Sequence, residues 1–266
     1  MNSADIMIPA FVAAYSGTSA QSVNTDLLPG ILSILPNWKV TYDGLTRLDV
    51  IKRYFKSFVL NHAYRCTYNI NSFSSISNWE RLFEGSDYGT IPETNIVSSP
   101  FYVESVNINE AFFPLIGAEG SLKNSLMLKA EYRKSRNLQL DIPANQVVES
   151  YSNEYVFGTG YRIDDFGMII RLNDNKQKKV RNDLNIRADV SYKTTDAFIR
   201  KIEENISQLS SGLNSFIIKL SAEYVFSESL NIRLYYDRTR SVPKVSQGYP
   251  TTNINFGIGF RFLLVR

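Results

Sequence analysis

The chain has 266 residues, enough for one large domain or two small ones, and 44% of them are apolar. Mean hydropathy is −0.18 and no apolar run approaches the roughly 18 residues of a membrane-spanning helix; this excludes such a helix but leaves open a transmembrane barrel, whose alternating strands average near neutral. The net charge of +3 arises from 29 basic and 26 acidic residues of both signs spread through the chain, so the basic cluster Lys176, Lys178, Lys179 and Arg181 reads as a solvated loop and no nucleic-acid partner is expected.

The first 56 residues read as an irregular region. Ile6 to Tyr15 suggests a short helix with Pro9 near its start, and Pro29, Gly30 and Pro36 punctuate an extended stretch. Asn37 to Tyr42 alternates as a short strand. Leu48, Ile51 and Phe55 recur at helical spacing over Arg47–Phe55, a helix expected to pack against a neighbouring sheet.

From residue 57 to 266 the period becomes two. Strand candidates run near 58–72, 101–109, 122–140, 146–163, 166–173, 181–194, 214–226, 230–240 and 253–265. A long loop is expected over 73–100, and 202–209 is the one weak helical stretch in this region. Without helical crossovers the sheet should be antiparallel. Asp164-Asp165 reads as a tight hairpin, as does Ser227-Glu228-Ser229, while Asn173 to Val180 reads as a longer loop. Short turns alternating with long loops are typical of transmembrane barrels.

Sorting the strands by face is more informative than their boundaries. One face carries Leu126, Leu128, Ala130 and Tyr132; Tyr155, Phe157, Tyr161 and Ile163; Phe166, Met168, Ile170 and Leu172; and Leu184, Ile186, Val190 and Tyr192. It continues through Phe216, Ile218, Leu220, Tyr224 and Phe226; Leu230, Ile232, Leu234 and Tyr236; and Ile254, Phe256, Ile258, Phe260, Phe262 and Leu264. None of these is charged. The opposite face holds twelve charged residues: Lys129, Glu131, Arg133, Arg162, Arg171, Arg187, Asp189, Lys219, Glu223, Arg233, Asp237 and Arg261.

Two architectures use such a sheet. In a soluble sandwich the apolar face is the core; in a barrel it meets lipid and the charged face lines a wet lumen. Strand lengths of about 9–13 residues, near the bilayer-crossing length, favour the barrel. So do the Tyr and Phe residues near strand ends and the apolar, aromatic run from Phe256 to Leu264. The expected fold is therefore an all-β, antiparallel transmembrane barrel wall with short N-terminal helices.

Reactive side chains are few. Cys66 is the one cysteine, which precludes an intrachain disulfide and a cysteine-based zinc cluster. His62 is the one histidine and shares a strand face with Tyr64, Cys66 and Tyr68; two ligands without a carboxylate make a poor metal site. Gly158-Thr159-Gly160 lies within a strand with no helix after it and is no dinucleotide loop. No catalytic constellation, metal or cofactor is expected.

Several runs resemble the C-terminal region of the SprA/Sov family, the outer-membrane translocon of the type IX secretion system. They are IMIPAFVAAYSG (6–17), LPNWKVTYDGL (35–45), YFKSFVLNHAYR (54–65), FPLIG (113–117), KNSL (123–126), EYRKSRNL (131–138), DLNIRAD (183–189) and YPTTNINFG (249–257). The resemblance spans nearly the whole chain. It implies an outer-membrane location and a share in a very large single-chain barrel that conducts folded cargo and supports gliding motility in some members. It also implies membrane lipid, the rest of the barrel chain, a PorV-like protein, a plug protein and secreted cargo as partners. The N-terminus lacks the basic region of a secretory signal, which such a segment of a longer chain would explain. Competing expectations are a small self-contained outer-membrane barrel with a structural or adhesive role and a soluble β-sandwich binding module.

Overall fold

The computed structural model describes residues 4–19, 36–75, 89–91, 96–98, 101–171, 177–227, 229–245 and 248–263. An N-terminal helix, α1 (Ala4–Ser16), contains Pro9. A short strand β1 (Trp38–Tyr42), a 3-10 turn (Gly44–Arg47) and helix α2 (Asp49–Tyr54) follow. The expected helix near Arg47–Phe55 is thus present but shorter, because Phe55 already has extended backbone and opens the next strand.

The remaining elements are strands: β2 (Phe55–Ser75), the small pair β3 (Gly89–Ile91) and β4 (Ile96–Ser98), β5 (Phe101–Leu122), β6 (Leu126–Asp141), β7 (Gln146–Arg171), β8 (Gln177–Lys201), β9 (Ile206–Ser227), β10 (Leu230–Pro243) and β11 (Thr251–Phe262). Eight of them join β1 in one antiparallel sheet in the order β1-β2-β5-β6-β7-β8-β9-β10-β11. The sheet is open, with β1 and β11 at its edges.

Three expectations are corrected. Asp164-Asp165 is no hairpin: β7 runs through it, paired with β8 on both sides, and the register shifts between Ile163 and Phe166. Asp165 sits at φ +55°, a left-handed backbone that Asp tolerates. Ile163 opposes Leu184 and Phe166 opposes Asn182, so one extra residue is absorbed. That bulge is why the odd-numbered run Tyr155–Ile163 and the even-numbered positions from Phe166 onward share one face. The weak helix at 202–209 is instead a turn over 202–205 followed by β9. Several strands also exceed 9–13 residues: β7 has 26, β8 25 and β9 22, while β11 keeps to 12. Their ladders continue past the apolar alternation, and at that end of the sheet a helix covers the apolar face of β2, β5 and β6. Residues 76–88, 92–95 and 172–176, parts of the expected loops at 73–100 and 173–180, lie outside the described residues, as do Pro29, Gly30 and Leu264.

The covering helix is α1. Ile8 is 1% exposed, and Phe11 and Val12 are buried against Val106 and Ile108 of β5, Leu138 and Leu140 of β6, and Cys66 of β2. Cross-strand pairing puts Val106 opposite Leu140 and Ile70, and Ile108 opposite Leu138 and Tyr68. These residues share strand parity with Leu126, Leu128 and Tyr132 along β6, so α1 lies on the apolar face, at the end of the sheet beyond Tyr132. Tyr15 Oη donates to Glu110 Oε1 at 2.8 Å and ties the last turn of α1 to the sheet. Truncating Ile8 to Ala removes a fully buried side chain and is expected to cost about 2–5 kcal/mol of the docked state. Amide exchange should then accelerate throughout α1 and at Ile108; unchanged exchange in α1 would contradict this docking.

Candidate functional site

The sheet presents two faces of opposite chemistry. On the apolar face the register sets Tyr132 opposite Tyr155, Tyr155 opposite Tyr192 and Tyr192 opposite Phe216, an aromatic row across four strands. The Tyr132 and Tyr155 rings stack at 4.8 Å. One step outward the same strands carry Lys134, Asn153, Thr194 and Asn214, also mutually in register. On the other side of the aromatic row these four strands carry no charge on this face up to the far strand ends, where Phe166, Tyr224 and Phe226 make edge contacts near 6 Å.

This band is exposed. Phe256 is 76% exposed, Phe157 62% and Ile186 40%. Leu128, Leu220, Leu234, Ile258 and Phe260 are exposed as well, while Leu126, Val190, Ile218 and Ile232 are half-buried by their strand neighbours. Ile170 lies on β7, with its side chain outside the described residues. A large exposed apolar patch marks an interaction surface.

The opposite face gathers the charged residues expected there. Lys129 Nζ lies 2.9 Å from Glu131, Arg133 bridges Glu131 at 2.5 Å and Glu154 at 3.4 Å, and Arg162 reaches Asp183 at 2.5 Å and Asp164 at 3.0 Å. Asp189 opposes Lys219, Lys219 opposes Asp237, and Arg233 opposes Glu223, so charge alternates in sign across neighbouring strands. Arg187 and Arg261 stand exposed on the same face. Arg171 lies on β7, with its side chain outside the described residues. Gly158 gives Asp189 room: a Cβ there would collide with Asp189 Oδ1. Likewise the Tyr235 side chain lies across Gly257.

Sequence reasoning missed the polar cluster between the aromatic row and α1. Glu149, only 1% exposed, accepts hydrogen bonds from Arg136 Nε at 2.7 Å and from Tyr151 Oη and Arg200. Glu110 accepts from Tyr15 and Tyr64 and lies 3.7 Å from Arg136. These residues hold the same strand parity as Tyr132 and Tyr155, which is the signal that could have found them once the strands were extended. Glu119, opposite Lys129, was missed because the strand candidate at 101–109 stopped short of it.

His62 and Cys66 do share a face. His62 Nδ1 lies 2.6 Å from the Leu115 carbonyl oxygen, and Cys66 is buried beneath Tyr15. Among the described residues no group of three or more His, Cys, Asp or Glu could hold a metal ion. No helix among them is long and apolar enough to cross a membrane, which says nothing of strands. No protein-family model matches this chain, and no curated protein matches it significantly.

Burial pushes the Glu149 carboxyl up, but the hydrogen bonds from Tyr151 and Arg136 and the charges of Arg136 and Arg200 outweigh it and hold the group below the usual carboxylate range. A carboxyl depressed on folding contributes stability above its unfolded pKa of about 4.3, and that contribution is lost as pH falls through the lower folded value. Glu149→Gln is expected to cost about 1.5–3 kcal/mol at neutral pH by weakening the charge-assisted hydrogen bonds from Arg136, Tyr151 and Arg200. It should also flatten the loss of stability as pH falls below about 4. Denaturant titrations across that range check both; an equal acid slope in wild type and variant would contradict the assignment.

Proposed function

We propose that this chain is part of the wall of an outer-membrane, protein-conducting β-barrel, with its apolar face toward lipid and its charged face toward a wet lumen. The observation that carries this reading is the exposed apolar band, bounded by an in-register aromatic row and backed by an ion-paired face one strand thickness away. The ten residue steps from Phe216 to Phe226 span about 33 Å of strand. At a tilt of about 45° they cover roughly 24 Å, close to the height of a barrel's lipid-facing band.

The charged face supports a large pore. An eight-stranded barrel would have to pack such residues into a side-chain-filled interior at a desolvation cost, whereas a wide aqueous channel leaves them hydrated. A hydrated wall offers a passing chain no apolar surface to adhere to, so the conduction proposed is passive and non-enzymatic. The open sheet, with β1 and β11 unpaired with each other, favours a wall completed by further strands over a small self-contained barrel. A sandwich is disfavoured because the face it would bury is the one most exposed, at Phe256, Ile258 and Phe260. The resemblance of the quoted runs to the SprA/Sov family agrees with this reading. It suggests a PorV-like protein, a plug protein and secreted cargo as partners, and a role in protein secretion and gliding motility.

Adjacent positions on β11 test the reading. Phe256→Lys places a cation on the proposed lipid face at mid-band and should cost about 2–4 kcal/mol of insertion into phosphatidylcholine vesicles. Asn255→Lys faces the other way, opposite Asp237, and should leave insertion unchanged. Equal effects of the two, or a wild-type chain that is monodisperse in plain buffer and ignores the vesicles, would overturn the membrane reading.

A further inference from the structure

We infer that Arg238 and Arg240 on β10 hold the phosphate of an anionic membrane lipid whose acyl chain lies in the apolar groove beside them. The inference rests on the membrane-facing reading of the apolar face and adds a specific ligand site to it.

Arg238 and Arg240 are two residues apart and therefore project from the same side of β10. The register identifies that side. Arg238 opposes Ile218 and Ile254, and Arg240 opposes Phe216 and Thr252, all on the apolar face. Both arginines are exposed. No carboxylate occupies the positions that oppose them on β9 or β11, and neither has an ion pair among the described residues. Of the cations beyond the aromatic row on this face, Arg136 and Arg200 are neutralised by Glu149 and Lys244 by Asp196 at 2.7 Å, while Lys134 stands singly in the polar row with Asn153, Thr194 and Asn214. Arg240 lies in register with the aromatic row and Arg238 one same-face step inside it, and two uncompensated guanidinium groups so placed call for an anion that tolerates an apolar neighbour.

The groove supplies that neighbour. It has a volume of about 490 Å³ and is lined by Ala188, Leu220, Ala222, Leu234, Tyr236 and Phe256. The small side chains of Ala188 and Ala222 make the depression, and the larger ones wall it. Tyr236 closes the end nearest the arginines, one same-face step (about 7 Å) before Arg238. A chain lying in the groove thus emerges past the Tyr236 ring. It then meets two planar donors that match phosphate geometry. Free phosphate would satisfy the arginines but leave the groove empty, so a phospholipid fits both features at once.

The test uses the full chain reconstituted into phosphatidylcholine vesicles carrying trace spin-labelled phosphatidylglycerol or spin-labelled phosphatidylcholine. Wild type should immobilise the phosphatidylglycerol probe with roughly tenfold preference. The double variant Arg238→Gln/Arg240→Gln should insert as wild type does but lose the preference, whereas Arg233→Gln, on the charged face, should keep it. A wild-type chain that inserts without preference overturns the site and leaves the membrane reading standing. Equal loss in Arg233→Gln would mean diffuse charge attraction and overturns it too, as would a preference abolished by millimolar inorganic phosphate, which would mark a soluble-anion site. A wild-type chain that fails to insert overturns the membrane reading and the site with it.

Discussion

A sheet one strand thick has no interior, so each side chain must be satisfied by whatever lies on its own side. This constraint governs the molecule. Along β6, Leu128 and Ala130 alternate with Lys129 and Glu131, and a one-residue slip would exchange their environments wholesale. The bulge at Asp164-Asp165 respects the constraint: it inserts one residue at the point where the apolar positions change from odd to even numbering. The ion pairs of Arg133 with Glu131 and Glu154 satisfy one face, while along β6 the other stays free of charge up to Lys134.

Beyond the aromatic row the constraint is met differently. The strands continue, but α1 supplies a second layer there, and Ile8, Phe11 and Val12 bury Val106, Ile108 and Leu140 as in an ordinary two-layer core. Between the exposed band and this covered end stand Glu110 and Glu149 with Arg136, Arg200 and three tyrosines. Each carboxylate is met by several donors, which is what a charge needs where burial is high. One side of one sheet thus passes from exposed apolar surface through a satisfied polar belt to a covered core. On the reading proposed here, the first of these zones lies in lipid and the other two stand outside it.

Much of this was legible in the sequence because period two is a strong signal. The apolar positions of β6 to β11 and their charged counterparts were readable from alternation alone, as were antiparallel pairing and the helix around Ile6–Tyr15. Strand ends were not. β5 was cut at 109, yet the ladder runs to Leu122: Pro114 and the shifted register between Phe112 and Ile116 interrupt the alternation without ending the pairing. Asp164-Asp165 looked like a turn because Asp favours turns, and tertiary pairing with β8 overrode that preference. Residues 202–209 lacked alternation, yet cross-strand hydrogen bonds from Ile206 onward carry β9 regardless. The Glu149 cluster escaped notice because a lone acid among Val147, Val148 and Tyr151 shows its partners only after three strands are set side by side.

The central claim, that the two faces of this single sheet meet different solvents, is best tested by scanning β11 with spin labels from Ile254 to Phe260, in a Cys66→Ser background, after reconstitution into bilayers. The account predicts oxygen accessibility peaking at Ile254, Phe256, Ile258 and Phe260, and water-soluble relaxant accessibility peaking at Asn255, Gly257 and Gly259. Labels that respond alike to both relaxants along the strand, or a protein that leaves the bilayer entirely, would contradict it.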